Sequence, residues 1–320
     1  MNNFKKIGLT ALAGSLIATS AFAGSMSVGG SAGISYGGAS NSAKGNSWSS
    51  GDSLTFTGSG ELDNGLSVTT YQEIDGGTLD DRYMSMEMDG LGKLTFNAKG
   101  GSSAMSAVDD VMPTAYGEAW DIIGSKTTAP AAGVSLKEGA IGGFATANSF
   151  FYDVPEMVDG LDVNVSYVPS GTSRPDGSIS VALAYTGVEG LTLAYDAGED
   201  NTTTTTADAT AWKISYAYGP FTATATDLEY DHETATSDRD MSSMQVAYTV
   251  SDEISITYGE EEITDGAASS EKAEFSGFGV TYTAGGMTVG AYAQEAENIS
   301  YSTTETEDQE IWAVNATFAF

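Results

Sequence analysis

The chain contains no cysteine, one histidine, six prolines and only 12 basic residues against 44 acidic ones. Without cysteine there is no disulfide framework, thiol nucleophile or cysteine-ligated zinc. The lone His232 leaves no multi-histidine metal site and only one residue to serve a histidine-based triad. A formal charge of −32 rules out phosphate-backbone binding as a main role, because few side chains are available to displace counterions from a nucleic acid. Beyond Ala23 no run of about eighteen apolar residues occurs, so no membrane-spanning helix is expected. Yet hydrophobic residues make up 41% of the 320 residues and recur throughout, which separates the chain from disordered sequences.

The first segment reads as an address. Met-Asn-Asn-Phe-Lys-Lys precedes an apolar core, Ile7–Ile17, and Ala21-Phe22-Ala23 stands before Gly24. A basic start, a short apolar core and an A-x-A site make a Sec-type signal peptide over residues 1–23, cleaved after Ala23. Residues 24–320 are then one exported domain. Any membrane span in it must be β.

Apolar residues alternate two apart, the period of a strand with two unlike faces. Met26, Val28, Ile34 and Tyr36 share one parity, as do Leu54 and Phe56, Met84, Met86 and Met88, and Leu94 and Phe96. The pattern resumes at Leu161, Val163, Val165 and Tyr167 and runs to Trp312, Val314, Ala316, Phe318 and Phe320. Counting two less clear strands, Ser149–Val154 and Phe221–Tyr230, gives about sixteen. The fold expected is therefore all-β, an antiparallel transmembrane barrel.

Connections alternate short and long. Asp63-Asn64-Gly65, Asp89–Gly92, Pro155–Gly160, Gly187–Gly190, Gly219-Pro220, Ser251–Glu253 and Ala284–Gly286 are short. Gly37–Asp52, Asp75–Arg82, Gly100–Asn148, Pro169–Gly177, Ala197–Ala209, Asp231–Asp240, Gly259–Ala273 and Gln294–Gln309 are long. A soluble sandwich has no reason to collect its tight turns at one end, whereas an outer-membrane barrel has short periplasmic turns and long outer loops. Tyr185, Tyr216, Tyr248 and Tyr282 each stand just ahead of a tight turn, where an interfacial aromatic girdle belongs.

The closing strand Trp312–Phe320, which ends on Phe320, resembles the C-terminal aromatic strand of bacterial outer-membrane proteins. Leu54–Asp121 has Leu-Thr-Phe-Thr-Gly-Ser-Gly, the turn Asp63-Asn64-Gly65-Leu66 and Gly90-Leu91-Gly92-Lys93-Leu94 before a long acidic loop. This stretch resembles the opening strands and constriction loop of the general-diffusion porins of alphaproteobacteria. The resemblance implies a homotrimeric water-filled pore in the outer membrane of a Gram-negative bacterium, in contact with lipid and lipopolysaccharide. It also implies that the third long connection, Gly100–Asn148, folds inward. Asp109, Asp110, Glu118 and Asp121 would then line a constriction opposed by basic wall residues, with Tyr116 and Trp120 as candidate aromatic lining.

If the apolar positions face lipid, the interleaved ones line the lumen, and at sixteen strands a barrel keeps an aqueous channel. The wall candidates are Arg82, Glu87, Lys93, Lys99 and Lys213, with Arg82 at outward parity close to a loop end. Lys44 and Arg174 are further basic candidates, and Glu61 and Glu73 add negative charge at pore-facing parity. The balance predicts passage of small hydrophilic solutes with a preference for cations. Acids in the outer connections, Glu199, Asp200, Asp231, Glu260–Glu262, Asp265, Glu295 and Glu297 among them, are hard-oxygen ligands suited to Ca²⁺ or Mg²⁺. No EF-hand or RTX spacing assigns a metal site, and no cofactor is called for.

Three other readings stay open. A channel specific for sugars or organic solutes would use Tyr116, Trp120, Phe150 and Phe151. A barrel enzyme with a Ser-His pair would need His232, which stands in a long acidic connection, and no paired-acid motif stands out for a carboxylate mechanism, so enzymatic activity is not expected. An acidic secreted adhesin would lack the alternating turns and the final aromatic residue.

Overall fold

In a computed structural model, the described residues are 24–40, 46–104, 147–171, 176–201, 206–234, 238–266, 271–298, 301 and 308–320. The proposed signal segment 1–23 lies outside them. Sixteen strands form one closed antiparallel barrel. They are β1 (Ser25–Ala39), β2 (Ser47–Glu61), β3 (Ser67–Asp75), β4 (Thr78–Met88), β5 (Gly92–Lys99), β6 (Ser149–Val158), β7 (Leu161–Val168) and β8 (Ser178–Val188). Then follow β9 (Leu191–Asn201), β10 (Thr206–Tyr218), β11 (Phe221–His232), β12 (Arg239–Thr249), β13 (Ile254–Asp265), β14 (Ala273–Ala284), β15 (Met287–Glu297) and β16 (Gln309–Ala319). No described helix is long and apolar enough to cross a membrane.

Each strand pairs with its sequence neighbour, and β1 closes on β16 with Ser31 opposite Ala319 and Ala39 opposite Ile311. Gly30 and the terminal Phe320 exchange both backbone hydrogen bonds at 2.9 Å. Gly30 has to be glycine here: a Cβ would lie 2.5 Å from the Ser53 carbonyl oxygen and 3.2 Å from the Phe320 ring. No strand edge is left, which is the condition for crossing lipid.

Parity sorts the side chains as the alternation predicts. Val181, Leu183, Leu193, Ile214, Val246 and Phe278 face outward and exposed, while their neighbours face the lumen. Tyr216, Tyr248 and Tyr282 stand outward by the short turns, and Tyr167, Tyr195, Trp212, Tyr258 and Trp312 form a second outward set nearer the other end. In β11 the Thr-Ala alternation resolves with Thr222, Thr224, Thr226 and Leu228 inward, set by pairing Ala225 with outward Ile214.

Strand ends differ from the sequence reading. β3 and β4 join through Gly76-Gly77 alone, both at positive φ, so Asp75–Arg82 is a tight turn and not a long connection. Strand also extends into both ends of Gly37–Asp52, Ala197–Ala209, Asp231–Asp240, Gly259–Ala273 and Gln294–Gln309. Apolar alternation marks the lipid band, but backbone pairing continues beyond it wherever alternate polar residues permit. β6 likewise runs on through Pro155 to Val158, with a register shift after Val154 that accommodates the missing N–H.

Leu183 should report the lipid face directly. Leu183→Arg is expected to lower unfolding stability by about 2–4 kcal/mol near the bilayer midplane. Reversible denaturant titration in lipid vesicles checks this, and a change below about 0.5 kcal/mol would turn that face toward water.

Candidate functional site

On β2–β7 the lumen face is polar and built in rows by strand register. Glu61 and Glu87 flank Ser67 near the short-turn end. Glu87, Lys93, Asp153 and Asn164 stand opposite one another across β4–β7. Lys93 Nζ lies 3.7 Å from Asp153 Oδ2, and Asn164 reaches Asp153 Oδ1 at 2.9 Å in the amide orientation that lets it donate. Further along the barrel, Tyr71 and Tyr83 stack with ring centroids 4.8 Å apart and an interplanar angle of 16°. Tyr71 donates to Glu73 Oε2 at 2.8 Å. Asn97 and Ser149 continue that row, joined by a 3.1 Å hydrogen bond.

The start of the long connection after β5 turns onto this wall. Gly101 N donates to Asp81 Oδ1 at 2.9 Å, Asn97 Nδ2 to the Ser102 carbonyl at 3.2 Å, and Ala104 N to Ser166 Oγ on β7 at 3.1 Å. Asp81, Asn97 and Ser166 all have lumen parity, so Gly100–Ala104 cross the inner wall from β5 past β6. Ser103 and Ala104 are buried there. Two glycines make the crossing possible. A Cβ on Gly100 would fall 1.5 Å from Asp81 Oδ1, one on Gly101 2.5 Å from the Asn97 side chain, and both backbones have positive φ.

The expected constriction acids Asp109, Asp110, Glu118 and Asp121, with Tyr116 and Trp120, lie outside the described residues, as do Lys44 and Arg174. Glu87, Lys93 and Lys213 stand at lumen positions. Lys99 sits at the outer end of β5, its ammonium donating to the Leu79 carbonyl. Arg82 is a correction. It pairs with Gln72 at outward parity and lines a groove of about 370 Å³ with Met26, Phe56, Met84 and Phe96, because the register shift next to it falls after Tyr83 is already set inward.

Sequence reasoning missed two features. The inner face toward the outer ends of β10–β16 is buried and carries an apolar cluster, with Leu228, Met241, Ile263, Phe275, Tyr292 and Ile311 packed alongside Tyr301, among buried polar groups such as Glu261 and Gln294. Their parity is the signal that was available: they interleave with acids and serines that face outward. The second is Arg239, a lumen-facing cation hidden beside an acidic connection. It donates to Asp265 Oδ1 at 2.9 Å and stands 5.4 Å over the Tyr301 ring. Burial pushes the Tyr301 phenol pKa up, with Arg239 pulling the other way.

Several acids expected in outer loops are strand residues on the outward face above the second aromatic set. Glu262, Glu274 and Glu297 lie in one cross-strand row, and Lys272 answers Glu262 at 2.6 Å. Hydrogen bonding to Glu262 holds the Lys272 ammonium above its ordinary range. Among the described residues no group of three or more His, Asp or Glu is placed to hold a metal ion.

A closed sixteen-strand barrel with a polar inner wall is the geometry of an aqueous pore. The family model described as Gram-negative porin matches residues 8–283. The chain belongs to the Gram-negative porin family. It is an outer-membrane diffusion channel by that membership. No curated protein matches it. Among solved structures it is similar to the loop L8 deletion mutant of OmpT, an outer membrane protein of Vibrio cholerae, at 14% identity and TM-score 0.70, over 93% of this chain and 100% of that one. An anion-selective porin from Comamonas acidovorans matches at 14% identity and TM-score 0.67, over 93% and 100%. Salmonella typhi OmpF in complex with daunomycin matches at 14% and 0.68, over 92% and 97%. At such identity these three likenesses establish the shared barrel alone.

The glycine crossing of this porin generates a prediction. Gly101→Val places a branched side chain against Asn97 at a φ of 93° and should push the connection off the wall. The expected result is a changed single-channel conductance in a barrel that still shows heat-modifiable migration. Conductance identical to the parent's would mean that this crossing does not influence the aperture.

Proposed function

We propose that this porin is a general-diffusion channel of the alphaproteobacterial type, passing small hydrophilic solutes with a preference for cations. The observation that carries the reading is the charge of the described lumen wall. Among the described residues Glu61, Glu73, Asp81, Glu87 and Asp162 face inward with no salt bridge, outnumbering the lumen-facing Lys213, whereas Lys93 and Arg239 are answered by Asp153 and Asp265. A low-dielectric wall focuses such a field, and at physiological salt screening extends over about 8 Å. The inward turn at Gly100–Ala104 supports the reading of residues 100–148 as a constriction, with Asp109, Asp110, Glu118 and Asp121 adding to its negative charge. The fold does not fix the sign of selectivity, since the Comamonas acidovorans porin is anion-selective. Wall charge does.

The chain is further read as exported by a signal peptide cleaved after Ala23, and as a homotrimer in contact with lipopolysaccharide. A trimer form is described for the similar OmpT of Vibrio cholerae. Support within this chain comes from the outward face of β1–β4, where Gly30, Ala32, Gly58, Gly60, Thr70, Gln72 and Arg82 interrupt apolar residues such as Met26, Val28, Phe56 and Met84. An arginine facing lipid costs about 2–4 kcal/mol at the midplane, and small residues permit close approach of another wall.

Two measurements test these readings. Under a KCl gradient in a planar bilayer, the reversal potential should lie on the cation side, and Glu73→Gln combined with Glu87→Gln should move it toward zero. A potential on the anion side overturns the cation preference. Gly58→Trp should convert trimers to folded monomers by native mass, and an unchanged trimer would remove β1–β4 from the interface.

A further inference from the structure

Between β4, β5 and β6 the lumen wall holds a recess of about 280 Å³ beneath the crossing of Gly101 and Ser102. Its chemistry comes from Asp81, Tyr83, Lys93, Asn97, Phe151 and Asp153. Tyr83 and Phe151 are the aromatic members. Tyr71, stacked on the β3 side, fixes the Tyr83 ring. Asn97 is held by its bonds to Ser102 and Ser149, and Asp81 by Gly101 N, so these polar groups are positioned before any solute arrives. At the opposite rim Lys93 and Asp153 sit 3.7 Å apart, a loose pair that leaves donors and acceptors available to a third group.

We infer that this recess is a binding subsite for a neutral, hydroxyl-rich ring of monosaccharide size. Aromatic side walls suit the C–H faces of a sugar ring, each rim offers a carboxylate acceptor, and Lys93 supplies a donor beside Asp153. Hydroxyl groups both donate and accept, so they match such a mixed set. An anion would meet two carboxylates, and a simple organic cation would meet Lys93. The volume falls just under the roughly 300–1,000 Å³ of drug-sized sites, which limits the occupant to about one ring. The inference rests on the channel reading, since solute must enter the lumen to reach the recess. Within that reading it adds a weak way-station for one solute class to otherwise unselective diffusion.

The test is current-noise analysis of the full-length exported protein in a planar bilayer, with glucose added to both sides. Open-chain sorbitol at equal concentration controls for viscosity and bulk conductivity. Glucose should produce saturable excess noise that sorbitol does not, and Phe151→Ala and Asp153→Asn should each raise its half-saturation at least ten-fold. Phe151→Leu keeps an apolar side chain without a ring and replaces the alanine variant if that barrel does not assemble. Equal noise from sorbitol, an unchanged half-saturation in Phe151→Leu, or saturable noise from tetraethylammonium but not glucose overturns the subsite while open-channel current leaves the channel reading intact. Folded protein that carries no current overturns both.

Discussion

Every feature of this molecule depends on one constraint: backbone N–H and C=O groups in hydrocarbon must find partners within the protein. A chain without a long apolar run cannot meet that demand with helices, so it must close a sheet. Closure makes the seam between β1 and β16 as important as any hairpin, and that seam brings Gly30 against the terminal Phe320. The glycine is there because a side chain would collide with Ser53 and the terminal ring. Once closed, the sheet has two unlike faces, and the period of two assigns every side chain to lipid or to lumen.

The lumen is not uniform. On the β2–β7 side it is a layered wall of carboxylates, hydroxyls, amides and stacked tyrosines. On the β10–β16 side, toward the outer ends, it holds a buried apolar cluster joined to the Arg239–Asp265 pair and Tyr301. The polar side receives the start of the connection after β5. Hydrogen bonds from three strands take hold of Gly101, Ser102 and Ala104 there, which draws the chain inward. Charge and aperture are thus controlled from the same part of the wall.

The fold was largely legible from sequence. Alternation located all sixteen strands, and the order of tight turns distinguished a membrane barrel from a sandwich. Strand ends were less legible because hydropathy records the lipid band, whereas hydrogen-bonded pairing extends past it through Glu260–Asp265 and Glu295–Glu297. The site was partly legible. Parity placed Glu87, Lys93 and Lys213 in the lumen and Arg82 outward, and Arg82 stands outward even though its place near a loop end had made it a wall candidate. Arg239 was hidden because its connection looked like an acidic loop.

The chain's own pattern determined that it would be a transmembrane barrel of about sixteen strands with polar residues on its inner wall. Periodicity, turn residues and the terminal aromatic are local properties and can be read one after another. Tertiary structure alone decided which inward groups meet: Lys93 with Asp153, Tyr71 with Tyr83, Asp81 with Gly101, and Arg239 with Asp265. Such meetings depend on the register between strands and on the shifts that bulges introduce. A displacement of one residue turns a side chain from water to lipid, and nothing in the local alternation records where that displacement falls.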